Sequence, residues 1–457
     1  MSTEFWIRNA VVMTGEGPRE ADVRVAGETI AEVAARPNFK LVGPDDVDGA
    51  GLWLLPGGVD VHTHFGMPLR DGIVSRGWRE SSEAALLGGT TTVIGFARPG
   101  KGEPLPWAVA RMRDTAQDDC LCDFGLHVTV SEITPERLTE LADVIATGVP
   151  TIKAFLAYKG RLMLEPDEMK LLMRQISDLG AHLLVHAEDG EMNADAQIEL
   201  ILKGRTAPAW STAAHQPDSE IEAVRKAMLL AEETSCPLTI VHLSTAGGLE
   251  LIKGARAVGV DIRAETCPQY LFRTDEQYSA GDDAALLGPT APPLRSSLDA
   301  AYLRQGLVDR DISWIATDHC EFPLALKQAE AEKGFPAIPN GTAGVGERLL
   351  VTYTLGVRDG LLEPADWVRL CCEQPAALMG LIGRKGRVAE GYDADLVLFD
   401  PDAEGTTLPM NGELSLWSGD QWRGAIRSVW RRGENVVADG KLAADQSPGV
   451  FVPRRFS

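Results

Sequence analysis

The sequence predicts an α/β chain: a (β/α)8 barrel with a small β-sandwich domain built from both chain ends. Three observations carry this reading. The middle of the chain alternates short apolar runs with amphipathic segments, the pattern of a parallel sheet covered by helices. Eight such runs occur, the number that closes a barrel. The two ends instead read as short strands separated by turn residues, and their local patterns GETIAEV and GENVVADG are alike.

Taken in order, the N-terminal end predicts strands over 5–13, 21–25 and 29–33, with Gly27-Glu28 as turn chemistry. The C-terminal end predicts strands over 394–399, 428–430 and 435–438, with Gly433-Glu434 as a turn. Pairing the two ends assigns residues 1–55 plus 389–457 to the β-sandwich and 56–388 to the barrel. Barrel strands are predicted over 59–64, 91–96, 124–130, 151–155, 182–186, 238–242, 260–265 and 313–317. Helices are predicted over 81–87, 135–146, 166–179, 219–234 and 248–257, where apolar residues recur at helical spacing.

Composition limits the function classes. The chain has 457 residues, 44% of them apolar and 24% charged, which excludes disordered, collagenous and coiled-coil chains. Acidic residues number 66 and basic residues 44, a formal net charge of −22. Such a chain is a poor partner for nucleic acid or for an anionic membrane. No run of about 18 uninterrupted apolar residues occurs, so no membrane span is expected. The start, MSTEFWIRNA, lacks the basic and apolar regions of a secretory signal. The seven cysteines include a CxC (Cys120, Cys122) and an adjacent pair (Cys371, Cys372), without the paired CxxC spacing of a zinc site. Reduced, buried thiols in a cytoplasmic protein are expected.

The histidines point to chemistry. Four of the eight, His62, His64, His186 and His242, fall at the ends of predicted barrel strands. The C-terminal rim of a barrel is where active sites form. His62 and His64 are two residues apart, so on a strand they share a face. Neutral imidazole is the commonest metal ligand, and two on one face begin a chelate. Asp318 ends the eighth strand. An aspartate there can cap a helix, but beside four histidines it reads as a ligand or general base. Lys153 lies inside Thr151-Ile152-Lys153-Ala154-Phe155, a predicted strand. Two readings are open for it. It can face outward past a helix, or its neutral amine can take up carbon dioxide and bridge two metals as a carbamate. A buried, unpartnered lysine is costly, which favours the second. The charge balance agrees. Two divalent ions against a carbamate, Asp318 and a hydroxide leave about one positive charge, suited to polarising a carbonyl. The other four histidines carry no such signal: His127 and His182 read as core residues or as supports behind the site, His215 as a loop residue, and His319 as a neighbour of Asp318 for which orienting that carboxylate is the lesser alternative.

These residues sit in stretches that resemble the amidohydrolase superfamily, and within it the dihydropyrimidinase and hydantoinase branch. The stretches are GGVDVHTH from Gly57, GGTTT from Gly88, IKAFLAYKG from Ile152, VHAE from Val185 and VHLS from Val241. AETCPQY from Ala264, APPLR from Ala291, TDHC from Thr317 and IPNG from Ile338 follow. The resemblance implies a (β/α)8 TIM barrel, two divalent metal ions (zinc), carbon dioxide for carboxylation of the lysine, and hydrolysis of a small cyclic amide. It also implies a homo-oligomer, tetramer or dimer. His62 and His64 match ligands of the more buried metal, His186 and His242 those of the outer one, and Lys153 the bridging carbamate. Asp318 matches the residue that binds metal and shuttles the proton. Tyr158 matches the donor to the oxyanion, and Asn340 a residue whose backbone holds the ring amide.

Three departures bear on the substrate. Gly66 stands where the branch usually has Asp, and Ala291 where it has a Ser that offers backbone groups to the substrate. Arg70 and Asp71 stand in the 66–77 loop where glycines are expected; that loop shapes the substrate side-chain pocket, so Arg70 or another residue of the loop is expected to set substrate choice, the alternative being that Arg70 is a solvated surface residue. The implied substrate is a dihydropyrimidine, hydantoin or similar cyclic ureide or imide. Gly66 argues against dihydroorotase, which resembles this chain but has Arg there. Ala291 is closer to allantoinase, whereas Tyr158-Lys159-Gly160 is hydantoinase-like. The non-catalytic, cytoskeleton-associated relatives of dihydropyrimidinase have lost metal ligands that are present here.

Overall fold

The computed structural model describes residues 4–36, 40, 43–70, 72–279, 282–406 and 415–456. Eight strands run parallel in chain order: Gly58–Asp60, Thr90–Ala97, Asp123–Thr129, Thr151–Phe155, His182–His186, Leu238–Ile240, Ile262–Thr266 and Trp314–Ile315. Every residue of Thr90–Ala97 and of Asp123–Thr129 is buried, as a sheet filled on one side and covered by helices on the other requires. The covering helices are amphipathic and capped. Helix Pro166–Asp178 buries Met169, Leu172, Met173 and Ile176 at helical spacing, and Glu165 and Glu168 form its capping box. Helix Pro135–Ala146 starts at Thr134, whose side chain accepts from the Arg137 amide at 3.1 Å.

The seam between the first and last strands is closed largely by side chains. The buried Arg348 guanidinium donates to Val59 O and Ile315 O, both at 2.9 Å. Asp60 accepts from the Thr317 hydroxyl at 2.6 Å and from the Thr317 amide at 3.2 Å. The His64 amide donates to His319 O at 2.7 Å. Burial pushes the Asp60 carboxyl up, and the nearby Arg348 charge opposes it.

Both chain ends meet in one ladder of ten strands, the β-sandwich expected from the sequence. Leu396–Thr406 pairs antiparallel with Trp53–Pro56, joining C-terminal to N-terminal strands. Strand Gly17–Ala26 pairs Val11–Thr14 with its first half and Glu4–Arg8 and Thr29–Ala35 with its second, so it passes from one layer to the other. Ile7, Val12, Val23, Leu54, Leu396 and Trp430 fill the space between. The last residues run under the barrel: Phe451 bridges Phe124, and Arg454 donates to Met379 O at 3.1 Å and to the Thr151 hydroxyl at 2.6 Å.

Local differences from the sequence reading have physical causes. The single strand expected over 5–13 is two strands, because Asn9 takes a left-handed conformation (φ 65°) held by its amide on Asp22. The first barrel strand stops at Asp60, and His62 lies two residues beyond it, outside the strand. Helix Leu105–Asp119 was not expected; it exposes Trp107, which blurs its apolar stripe. The seven cysteines are free and buried. No helix among the described residues is long and apolar enough to cross a membrane.

The seam makes a prediction. Arg348→Met removes the shared donor of Val59 and Ile315 and leaves Asp60 without its counter-charge. A loss of roughly 3 kcal/mol is expected, read as a fall in the urea midpoint. A midpoint equal to that of the parent would show that the backbone closes the seam unaided.

Candidate metal centre and active site

Chain segments at the C-terminal rim bring the predicted residues together. His62 and His64 leave the first strand side by side, with ring centres 5.2 Å apart. His62 Nε2 lies 3.2 Å and His64 Nε2 3.0 Å from one oxygen of Asp318. The ligand atoms of these three residues all fall within 4.8 Å of one another. His242, after the sixth strand, has its ring 5.4 Å from that of His62 and 4.5 Å from that of His186. Lys153 points into the same space, 1% exposed, with its amine 5.5 Å from the centre of the Phe96 ring. The outward reading of Lys153 is therefore excluded.

The state of these groups suits a cation. Burial lowers the pKa of His62, His186 and His242, which keeps their lone pairs free. Burial also brings the Lys153 amine down to about 8. Burial raises the Asp318 carboxyl, but His62 and His64 outweigh it and hold the group below the usual range. Lys153 Nζ, His62 Nε2 and His242 Nδ1 are buried without a hydrogen bond. Unpaired buried nitrogens cost free energy unless something fills the space between them. Imidazoles and a carboxylate form a donor set for zinc or a similar divalent ion, so the residues fit such a group.

Two carboxylates that the sequence reading left without a role fix the histidines. Glu265, on the seventh strand, bonds His62 Nδ1 at 2.6 Å, accepts from the His242 amide at 3.1 Å and from the Trp314 indole at 2.8 Å. Burial pushes it up to about 7. Glu188 bonds His186 Nε2 at 2.7 Å and His215 Nδ1 at 2.9 Å. Burial pushes the Glu188 carboxyl up, but the two imidazoles bring it well below its ordinary value. His215, expected to be an ordinary loop residue, thus lies at the site. His319 does not orient Asp318. Its Nδ1 accepts from the Gly344 amide at 3.1 Å. His127 bonds the Thr151 hydroxyl and Val61 O, and His182 the Thr239 hydroxyl, as core histidines do.

A cavity of about 300 Å³ opens above this cluster. Tyr158, Ala291 and Asn340 all line it. The Tyr158 ring lies 5.2 Å from that of His186, and no described residue bonds its hydroxyl. Lys327 Nζ donates to Gly341 O at 2.6 Å and fixes the segment after Asn340. Tyr158, His242 and Asp318 all take the left-handed backbone (φ 64°, 41° and 53°), strain of the kind that concentrates where side chains must be aimed. Gly66 also has positive φ (60°), a turn that favours glycine over the aspartate usual in the branch. Arg70 lines the cavity, but its guanidinium is engaged by the carbonyls of Pro336 and Ala337. Asp71 lies outside the described residues.

A parallel barrel with imidazoles, a carboxylate and a buried lysine at its C-terminal rim defines the class of barrel hydrolases that work with metal ions. The chain belongs to the amidohydrolase family, whose profile matches residues 53–436, and within it to the hydantoinase and dihydropyrimidinase branch. It is 31% identical to a D-hydantoinase of Streptomyces coelicolor, over 99% of this chain and 98% of the relative. It is 32% identical to dihydropyrimidinase 1 of Caenorhabditis elegans, over 99% of this chain and 94% of that one. The crystal structure of dihydropyrimidinase from Brevibacillus agri superposes with a TM-score of 0.94 at 31% identity, covering 99% of this chain and 98% of the other. Family membership implies divalent metal ions.

The Glu265 contacts make a prediction. Glu265→Gln keeps the shape and removes the charge behind His62. Metal affinity is expected to fall about 10–100-fold, measured by competition with a chelator. Unchanged affinity would show that Glu265 only fills space.

Proposed function

We propose that the protein opens a cyclic amide ring, of the dihydropyrimidine, hydantoin or related ureide or imide class, by metal-dependent hydrolysis. The observation that carries this is the convergence of His62, His64, Asp318, Lys153, His186 and His242 on the floor of a pocket at the barrel rim. His62, His64, His186, His242, Asp318 and a carboxylated Lys153 would hold two divalent ions, zinc by their donor chemistry. When bound, such ions supply a water ionised near neutral pH and polarise the carbonyl.

The chain's own groups do the rest. Asp318 takes the proton of the attacking water and passes it to the leaving ring nitrogen. Tyr158, free at its hydroxyl, donates to the oxygen on which charge develops. Backbone groups of Ala291 and Asn340, which line the pocket, hold the ring amide. Glu265 and Glu188 keep His62 and His186 turned the right way. The free, buried thiols suit a reducing compartment such as the cytoplasm.

The purified protein, assayed against dihydrouracil, hydantoins, allantoin and cyclic imides, is expected to open at least one ring. A chelator is expected to abolish turnover, and added divalent metal to restore it. A metal-loaded protein that opens none of these rings would contradict the reading. Allantoin as the preferred substrate would place the chain beside the allantoinases, as Ala291 suggests.

Tyr158→Phe keeps the ring and removes only the hydroxyl. Because the charge it meets exists in the transition state, kcat is expected to fall about 10²–10³-fold, with metal content intact. A kcat within about threefold of the parent would remove Tyr158 from the mechanism.

A further inference from the structure

The mouth of the pocket carries charges that ring opening does not use. The chain has 66 acidic residues against 44 basic ones. Yet among the described residues that line the pocket, Asp318 is the one acid, and it lies on the floor among the imidazoles. Toward solvent the lining has Arg70, Arg98, Lys159 and Arg161.

These four cations are not equivalent. Lys159 is ion-paired with Glu191. Arg70 is held by two carbonyls and lies 3.8 Å from Glu330. Arg98 and Arg161 have no carboxylate partner among the described residues. Arg98 follows the second barrel strand, Thr90–Ala97, and among the described residues its side chain bonds Pro68 O at 3.4 Å. It is partly buried, and burial together with the like charge of Arg161 pulls its pKa below the ordinary arginine value. Arg161 follows Tyr158 by three residues, in a turn whose amide donates back to Tyr158 O at 3.0 Å. Arg98, Arg161 and Tyr158 all line the pocket, so the two arginines and the phenol face a common space. Two like charges on the wall of one pocket, one of them partly desolvated, are a standing cost that an anion between them would relieve. Guanidinium forks match carboxylate geometry. A cavity of about 300 Å³ admits a small ring with a short chain.

We propose that Arg98 and Arg161 form a carboxylate-binding subsite, so that the preferred substrate is a cyclic amide bearing a short acidic side chain. This rests on the ring-opening reading above. It also moves the choice of substrate away from Arg70, whose guanidinium braces two loops.

The test uses metal-loaded enzyme and two ring series, hydantoins and dihydrouracils. Each ring carries a two-carbon substituent ending in a carboxylate, a primary carboxamide or a methyl group. The carboxylate is expected to exceed the carboxamide in kcat/KM by about tenfold, the scale of one charge-assisted hydrogen bond, and mainly through KM. Raised salt is expected to shrink that ratio. Arg98→Gln and Arg161→Gln are each expected to lower it at least about threefold, half a decade of the same scale. Because the ratio compares two substrates on one preparation, misfolded or metal-poor protein does not alter it. Carboxylate and carboxamide within about twofold in the parent enzyme, or a ratio that survives in both variants, would overturn the subsite alone. No turnover of any ring with metal bound would overturn the ring-opening reading and the subsite with it.

Discussion

The Glu265 carboxylate leaves the seventh barrel strand and meets groups from three others. It bonds His62 beyond the first strand, the backbone of His242 beyond the sixth and the indole of Trp314 on the eighth. A charge buried this deeply is tolerated only when its lone pairs are occupied. The arrangement therefore fixes strand positions and imidazole orientation at once. The same logic runs along the seam below it, where Asp60, Thr317 and Arg348 close the barrel with side-chain bonds. Stability of the closed barrel and geometry of the reaction centre thus depend on one connected polar network.

That network also explains where the structure tolerates disadvantage. Three site residues adopt left-handed backbone, and three buried nitrogens at the site make no hydrogen bond. Each costs on the order of 1–3 kcal/mol in an isolated protein. Their concentration at one rim is what a site built for a cation and a polar ring requires. Farther out, apolar walls such as Leu162 and Ile338 give way to Arg98 and Arg161, which have no carboxylate partner among the described residues, so the pocket becomes more positive toward solvent while the molecule as a whole is acidic.

Much of this was legible in the sequence. The strands Thr151–Phe155 and His182–His186 matched their expected bounds, because continuous apolar runs between turn signals leave little choice. The histidines were legible because the barrel gives strand ends a meaning that composition does not. Glu265 and Glu188 received no role, since a lone acid in a sequence reads as a solvated residue until its partners from other strands are known. His215 reaches Glu188 from a distant loop, and no local pattern signals that. Arg70 drew attention as a charge in a loop expected to be small; only the fold shows that its charge is taken up by Pro336 and Ala337 while Arg98 and Arg161 have no carboxylate partner among the described residues.

Anomalous diffraction from crystals of the active, metal-loaded protein, collected at the zinc edge, tests the central claim most directly. The account predicts two peaks, one among His62, His64 and Asp318 and one beside His186 and His242, with density for a carboxylated Lys153 joining them. An active protein with no anomalous scatterer at these residues, or with an unmodified Lys153 amine between two metals, would contradict it.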